Sequence, residues 1–341
     1  MKLDSITKGR NNNLDIIRFI AALMVIFSHA FPISLGMEVY DPLARITNDQ
    51  ISFGSLAVSV FFVYGGFLIC KSMHRLQGGK AFFKARILRI FPPLIFVVLI
   101  SVFVIGPVFT DISLGEYFTS GNTYKYLLNC ILVLQHNLPG VFEQNIYKSV
   151  VNGPLWTMPV EFMCYIMCFI LYKLNLLEKK TAKYTTLLFV VGCSGIGLLS
   201  LRIQILKSMI RPVGLFFVGM LYYVYREKIV ITKKWTIFCL IGIIISLYCG
   251  MFPFTIFLFL PYVLFYLGYG TSLKIKDFAR KGEISYGIYL SAWPIQQIIC
   301  SKFSGQMNPW INFLITLPLA IIMGVVINKC VEEPVLKLKG K

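Results

Sequence analysis

The run LDIIRFIAALMVIFSHAF, Leu14 to Phe31, carries a guanidinium at Arg18 and an imidazole at His29 inside an otherwise apolar segment. On a helix, eleven residues advance roughly 16 Å and turn about 1100°, within about 20° of three full turns. The two side chains therefore lie on one face, one above the other. Ionisable groups in hydrocarbon are costly and usually face a cavity, where they do something. An imidazole exchanges protons near neutral pH. Two readings stand for Arg18: it snorkels to the membrane interface, or it binds an anion. Asp15, three residues earlier, is a candidate ion-pair partner. For His29 the alternatives are a bond to neighbouring backbone and acid/base chemistry.

Three further constellations have the same character. In KARILRIFPP, Arg86 and Arg89 share a helix face by i, i+3 spacing. Paired guanidiniums suit a phosphorylated ligand, and they equally suit a basic anchor beside the membrane. Pro92 and Pro93 just beyond them would loosen the helix and open a groove. GPLWTMPVEFMCY places Glu161 roughly 10 Å inside its segment, at a depth comparable to His29, where a carboxylate can orient an imidazole or bond a sugar hydroxyl. Trp156 in the same run either stacks on a sugar ring or joins an aromatic interface belt. GEISYGIYLSAWPIQQ brings Ser285, Tyr286, Tyr289, Gln296 and Gln297, which either hold helices together or line a substrate path. His136, in LVLQH, is a further candidate for the same cavity, whereas His74 reads as a solvated residue of a basic loop. The nine cysteines show neither CxxC pairing nor zinc-like His–Cys spacing. They read as small buried hydrophobes, and no metal is expected.

The elements that must position these groups follow from composition. Of 341 residues, 57% are hydrophobic and only 14% charged, which argues against an ordinary soluble domain. Ten apolar runs approach the ~20 residues that span a bilayer: Leu14–Ile33, Phe53–Ser72, Ile87–Phe109, Leu155–Tyr172, Thr185–Ile205, Met209–Tyr225, Trp235–Phe252, Phe254–Thr271, Ile284–Lys302 and Pro309–Val331. Tyr126–Leu138 is short and carries Gln135 and His136, so it reads as a re-entrant or interfacial segment. The expected fold is all-α, a polytopic membrane helix bundle of about ten spans forming one domain over residues 1–341, with no signal peptide. A net charge of +18 would suit nucleic acid, but its distribution points elsewhere. Every second connection is basic, as with Lys2 and Lys8, then Arg75, Lys80 and Lys84, then Lys179, Lys180 and Lys183. Lys and Arg mark cytoplasmic loops, so both termini are expected inside, which requires an even number of crossings. Arg202, Lys207 and Arg211 dissent: they surround a turn assigned to the outer side, where lipid headgroups or an anionic substrate would meet them.

LDIIRFIAALMVIFSHAF, GPLWTMPVEFMCY and ISYGIYLSAWPIQQ, in that order and with SVFFVYGGFLI and RILRIFPP between them, resemble the acyltransferase-3 family of bacterial integral-membrane acyltransferases. The resemblance runs from Leu14 to Pro334 and is closest to the short O-acetyltransferases of surface polysaccharides, which lack a soluble esterase-like domain. It implies transfer of an acyl group, usually from acetyl-CoA, to a hydroxyl of a cell-surface glycan or lipid-linked saccharide at the bacterial inner membrane. Acyl-CoA is then a co-substrate, not a permanently bound cofactor. The family's Arg-x10-His motif falls on Arg18 and His29, and its Arg-x-x-Arg motif on Arg86 and Arg89. The arginines would hold the donor and His29 would assist transfer, with Glu161 beside it and Trp156, Tyr286, Tyr289 and His136 on the acceptor. Two positions depart from the family: Gly65 stands where many relatives have serine, and Ala292 where many have histidine. The competing reading is a transporter or flippase for a sugar or anionic substrate, since intramembrane Arg, His and Glu serve that too.

Overall fold

Ten apolar runs become ten helices in the computed structural model, which describes residues 1–9, 12–199, 204–275, 278 and 282–337, without the side chains of 193–199 and 204–207. They are α1 (Leu14–Leu35), α2 (Phe53–Leu76), α3 (Gly79–Ile100, continued to Phe109 through a π-helical Ser101–Ile105), α4 (Thr157–Lys173), α5 (Ala182–Leu199), α6 (Gln204–Val224), α7 (Lys233–Tyr248), α8 (Phe252–Phe265, continued by a π turn to Gly270), α9 (Ser285–Lys302) and α10 (Pro309–Ile327, continued to Lys337). No named strand occurs among the described residues. In a bilayer every backbone polar group must be satisfied internally, which is why long apolar runs adopt this one structure.

Among the described residues, six of the ten are long and apolar enough to cross a membrane by length and composition: α1, α2, α3, α4 with its leading Gly153–Trp156 turn, α8 and α10. This is fewer than the ten expected. The 16 residues of α7 reach only about 24 Å, short of a ~30 Å hydrocarbon core, and α9 carries two glutamines and a lysine among its 18 residues. The chain is a multi-pass helical membrane protein. Pro92 and Pro93 do not break α3; its hydrogen bonding shifts further along, at Ser101–Ile105.

Two close crossings fix the bundle. A Cβ on Gly66 would lie 1.9 Å from the carbonyl oxygen of Phe216, and one on Gly219 would lie 2.2 Å from that of Val63, so α2 and α6 meet backbone to backbone. Gly287 and Gly324 play the same part between α9 and α10, where a Cβ on Gly287 would sit 3.0 Å from the Gly324 Cα. Small residues at such contacts are how helices associate in lipid, where apolar burial gives little drive.

Between α3 and α4 the chain forms a cap of short turns. Tyr126–Leu138 does not form a spanning helix: Tyr126–Ile131 makes a 3-10 turn, and the Asn129 amide donates to the carbonyls of Tyr126 and Gln135, each at 2.9 Å, tying it into a knot. His74 corrects its expected place too. The helix α2 runs on to Leu76, so His74 packs between the rings of Tyr172 and Tyr223 at 5.0 and 5.1 Å instead of lying in a solvated loop. Cys249 and Cys330 are exposed, unlike the buried Cys70, Cys164, Cys168, Cys239 and Cys300.

Candidate active site

Arg18 on α1, Arg86 and Arg89 on α3, Glu161 on α4 and Tyr286 on α9 line one cavity, whose empty space with its open mouth is about 940 Å³. The i, i+3 spacing of Arg86 and Arg89 does turn both toward it. Their charges are not free, however. Glu283, two residues before α9, lies between Arg18 and Arg89; its Oε2 is 3.1 Å from the Arg18 guanidinium and accepts a short bond from Arg89. Arg18 thus pairs with Glu283 instead of the expected Asp15. Burial pushes the Glu283 carboxyl up, but Arg18 and Arg89 more than offset this and hold it at about 2, so the carboxylate stays charged. Ser285 Oγ donates to its other oxygen and Asn328 Nδ2 to its backbone carbonyl. Arg86 is held differently: one nitrogen donates to Ser72 Oγ at 2.8 Å and the guanidinium lies 5.6 Å over the Phe82 ring, while its buried Nε has no partner. Tyr165 donates to Glu161 within α4. Within the lining three guanidiniums stand against one carboxylate, Glu161, so the lining is cationic, while Glu283 and Glu332 act on Arg89 from outside it.

His29 lines a second cavity, together with Trp156, Pro154, Ser52, Ser55, Ser59 and Arg211. The two cavities share Val58 and Tyr289 as walls. The face common to Arg18 and His29 therefore serves two abutting chambers. The imidazole meets Trp293 edge-on, ring centroids 4.9 Å apart, and its Nδ1 is buried without a hydrogen-bond partner. This leaves Nε2 as the nitrogen able to serve the chamber. Trp293 is itself fixed by a 3.1 Å bond from Nε1 to the Val150 carbonyl.

Packing explains why these groups stand where they do. On α9, Gln297 Nε2 donates to the carbonyls of Tyr147 and Val150 at 2.8 and 2.9 Å, and Asn152 Nδ2 returns a 2.8 Å bond to Leu290. These bonds seat the cap so that Pro154 and Trp156 close the histidine chamber. Gln296 Nε2 donates to Ile26 on α1 at 2.9 Å, so both glutamines hold helices, as the packing reading expects. Asp41 caps Pro42–Ile46 through the Ala44 amide, receives Ser28 Oγ at 2.5 Å and the Phe53 amide at 3.0 Å, and so joins α1 to the start of α2. Tyr289 Oη lies 2.8 Å from Thr157 Oγ1, and Tyr286 Oη donates to the Ile90 carbonyl at 3.0 Å.

Of the residues singled out from sequence, Arg18, Arg86, Arg89, Glu161 and Tyr286 meet in the arginine chamber, His29 and Trp156 in the histidine chamber, and Tyr289 in both. Glu161 is displaced from its expected role: it faces the guanidiniums, and no carboxylate bonds the His29 ring among the described residues. Equal depth along two helices did not mean adjacency. His136 lines neither chamber; burial lowers its imidazole below the usual value, partly countered by a backbone bond with Asn152. Sequence reasoning missed Glu283 and Trp293, although both stand inside or beside a quoted motif, and Glu283 is the lone acid after a basic loop. Of the dissenting loop, Arg211 enters the histidine chamber, while Arg202 and the Lys207 side chain lie outside the described residues.

The acyltransferase domain family matches residues 11–329. The O-acetyl transferase of Shigella phage Sf6 is 27% identical over 309 residues, covering 88% of this chain and 89% of that protein. Nodulation protein 10 of Rhizobium leguminosarum bv. viciae is 30% identical over 164 residues, covering 47% of this chain and 44% of that protein. No solved structure matches. With both chambers and every helix that builds them inside the matched region, the chain belongs to the acyltransferase-3 family of membrane acyltransferases.

Proposed function

We propose that the protein is an O-acetyltransferase that moves an acetyl group from acetyl-CoA to a hydroxyl of a cell-surface polysaccharide or lipid-linked saccharide. The observation that carries this reading is the pairing of a cationic chamber with an imidazole chamber across one shared wall, at Val58 and Tyr289. The whole-length likeness to a phage O-acetyl transferase agrees with it. The helices cross the bacterial inner membrane an even number of times with both termini in the cytoplasm, in keeping with the alternation of basic connections. The arginine chamber then opens inward, where acyl-CoA is made, and the histidine chamber lies toward the outer leaflet.

Donor phosphates dock on Arg86 and Arg89 with Arg18 beside them, and the acyl arm reaches past Tyr289. In direct transfer His29 takes the proton of the acceptor hydroxyl as its oxygen attacks the thioester carbonyl carbon. The tetrahedral adduct collapses, the C–S bond breaks, and the departing thiolate receives the proton from the imidazolium, leaving an O-acetyl ester and free CoA. In the covalent variant the imidazole nitrogen attacks the thioester carbon, the C–S bond breaks and CoA leaves as the thiol with the imidazole proton. The acceptor oxygen then attacks the acetyl-imidazole, the C–N bond breaks, and the hydroxyl proton returns to the ring. Trp156 and Tyr289 line the acceptor's side, and Tyr286 lines the donor's.

The reading is tested with purified protein in detergent, supplied with acetyl-CoA and bacterial surface polysaccharide. Free thiol should appear in step with ester on the glycan. A sugar-dependent transport signal without thiol release would establish the flippase reading instead.

A further inference from the structure

The histidine chamber holds a charge that acetyl transfer to a neutral sugar does not use. Arg211, on α6, is the only formally charged side chain among its described lining residues. Among the described residues it forms no ion pair, and its one hydrogen bond there is a long 3.3 Å contact with the Gln50 carbonyl. A guanidinium has five N–H donors, so most of them remain for a ligand. Asp41 accepts from Ser28 of the lining, from Ala44 and from Phe53, and it forms no ion pair with Arg211 among the described residues. The chamber's hydroxyls have a different disposition. Ser28 donates to Asp41, Ser52 to Ser55 Oγ at 2.9 Å, and Ser59 to the Ser55 carbonyl at 2.7 Å. With their hydrogens committed to the protein, these oxygens accept from sugar hydroxyls and cannot donate to an anion. Three of the lining serines are thus left as acceptors for neutral hydroxyls, while Arg211 is the charged donor for a negative group.

We propose that Arg211 forms an anion subsite in the acceptor chamber, so that the preferred acceptor is a saccharide bearing a carboxylate or phosphate oxyanion close to the hydroxyl that is acetylated. The proposal rests on the acyl-transfer reading of the two chambers. It gives that reading a specificity determinant: the neutral scaffold of the sugar is held by hydroxyl and ring contacts, and the anion fixes which sugar is admitted. A charge-assisted bond in a partly desolvated site is worth roughly 10- to 100-fold in affinity.

Trp156 lines the same chamber, so tryptophan fluorescence serves as the binding signal. Two matched pairs of probes separate the sources of the anion: methyl glucuronide against methyl glucoside for a carboxylate, and a short-chain polyprenyl phosphate against its polyprenol for a lipid-borne phosphate. The wild type should bind the anionic member of at least one pair roughly 10- to 100-fold more tightly, with the margin shrinking as salt rises. Arg211→Gln should bring the two members of that pair level by weakening only the anionic one, and Arg211→Lys should restore part of the difference. Thermal melting and CoA binding, read at the other chamber, verify that the variants fold. Equal or undetectable binding of both members of each pair by the wild type overturns the proposal, as does discrimination that survives in Arg211→Gln. If the wild type discriminates but releases no CoA with any acceptor, the anion subsite stands and the acyl-transfer reading fails.

Discussion

The two chambers are built on opposite principles. In the arginine chamber, charge holds charge: Glu283 ties Arg18 on α1 to Arg89 on α3, Ser285 ties that carboxylate to α9, and Asn328 ties the Glu283 backbone carbonyl to α10. In the histidine chamber the central imidazole has only a ring contact with Trp293 and no hydrogen bond at Nδ1. Its shape comes from the cap, seated by Gln297 and Asn152. A site for a polyanionic donor needs several cations kept from repelling one another, and the buried carboxylate does this. On the proposed reading a proton-transfer group needs a ring nitrogen left for the substrate, and an imidazole held by an edge contact instead of a fixed acid provides it. On the proposed reading, a preorganised binding end and a lightly held chemical end share one wall.

The strongest attempt to break this contrast is His29→Ala. If chemistry sits in the histidine chamber and limits turnover, kcat for CoA release in the presence of acceptor falls by ~10² to 10⁴-fold, while donor affinity, set in the other chamber, stays within about twofold of the wild type. A loss of donor affinity as large as the loss of kcat would merge the two chambers into one.

Glu283→Gln tests the arginine chamber from the side of stability. Removing one partner of a buried ion pair is typically worth about 3–5 kcal/mol, and here two guanidiniums lose the same partner. The carboxyl is held at about 2, below its ordinary 4.5, so its stabilisation, on the order of 3 kcal/mol, is complete above about 4.5 and is lost as pH falls toward about 2. Thermal melts of the wild type should therefore drop between those pH values. Those of Glu283→Gln should start lower and stay flatter over the same range. Parallel curves for the two proteins would show that the triad does not hold the chamber.

How much of this was legible beforehand follows from what sequence encodes. Apolar runs marked where the ten helices lie, because burial in lipid writes itself as composition, although α3 begins at Gly79, well before the Ile87 at which its apolar run starts. The i, i+3 pair of Arg86 and Arg89 and the eleven-residue spacing of Arg18 and His29 were readable because both lie on single helices of known period. Relations between helices were not. Glu161 was matched to His29 by depth alone, and it faces the guanidiniums because the rotation of α4 about its own axis is set by packing against α2 and α6. Glu283 was passed over because its two partners sit 194 and 265 positions away in the chain, a distance no local pattern spans. Trp293 stood inside a recognised motif, yet its contact with His29 depends on a cap whose path the sequence does not announce.

Arg86→Ala sharpens the comparison within the arginine chamber itself. Arg86 bonds only the neutral Ser72, whereas Arg89 is committed to Glu283. Loss of Arg86 should weaken CoA binding by roughly 10- to 100-fold and change the melting temperature by only a few degrees. Arg89→Ala should lower both, since it also strands Glu283. Calorimetric titration with CoA, paired with melting curves, separates the two arginines. Identical behaviour would remove the division of labour between them.

The smallest effect is expected from Gly65→Ser, which returns a hydroxyl to the place where many relatives of this family carry one. Gly65 lines the arginine chamber, and a Cβ there would meet only the Phe216 ring at an ordinary 3.6 Å. Its neighbour Gly66 has no such room, since a Cβ there would fall 1.9 Å from the Phe216 carbonyl oxygen. Serine is also a few tenths of a kcal/mol better than glycine inside a helix. The variant should therefore fold with a melting temperature equal to or slightly above the wild type and shift donor affinity by less than about threefold. A large loss of donor binding would mean that the arginine chamber is closed around its ligand more tightly than its open mouth suggests, and that here, too, shape decides as much as charge.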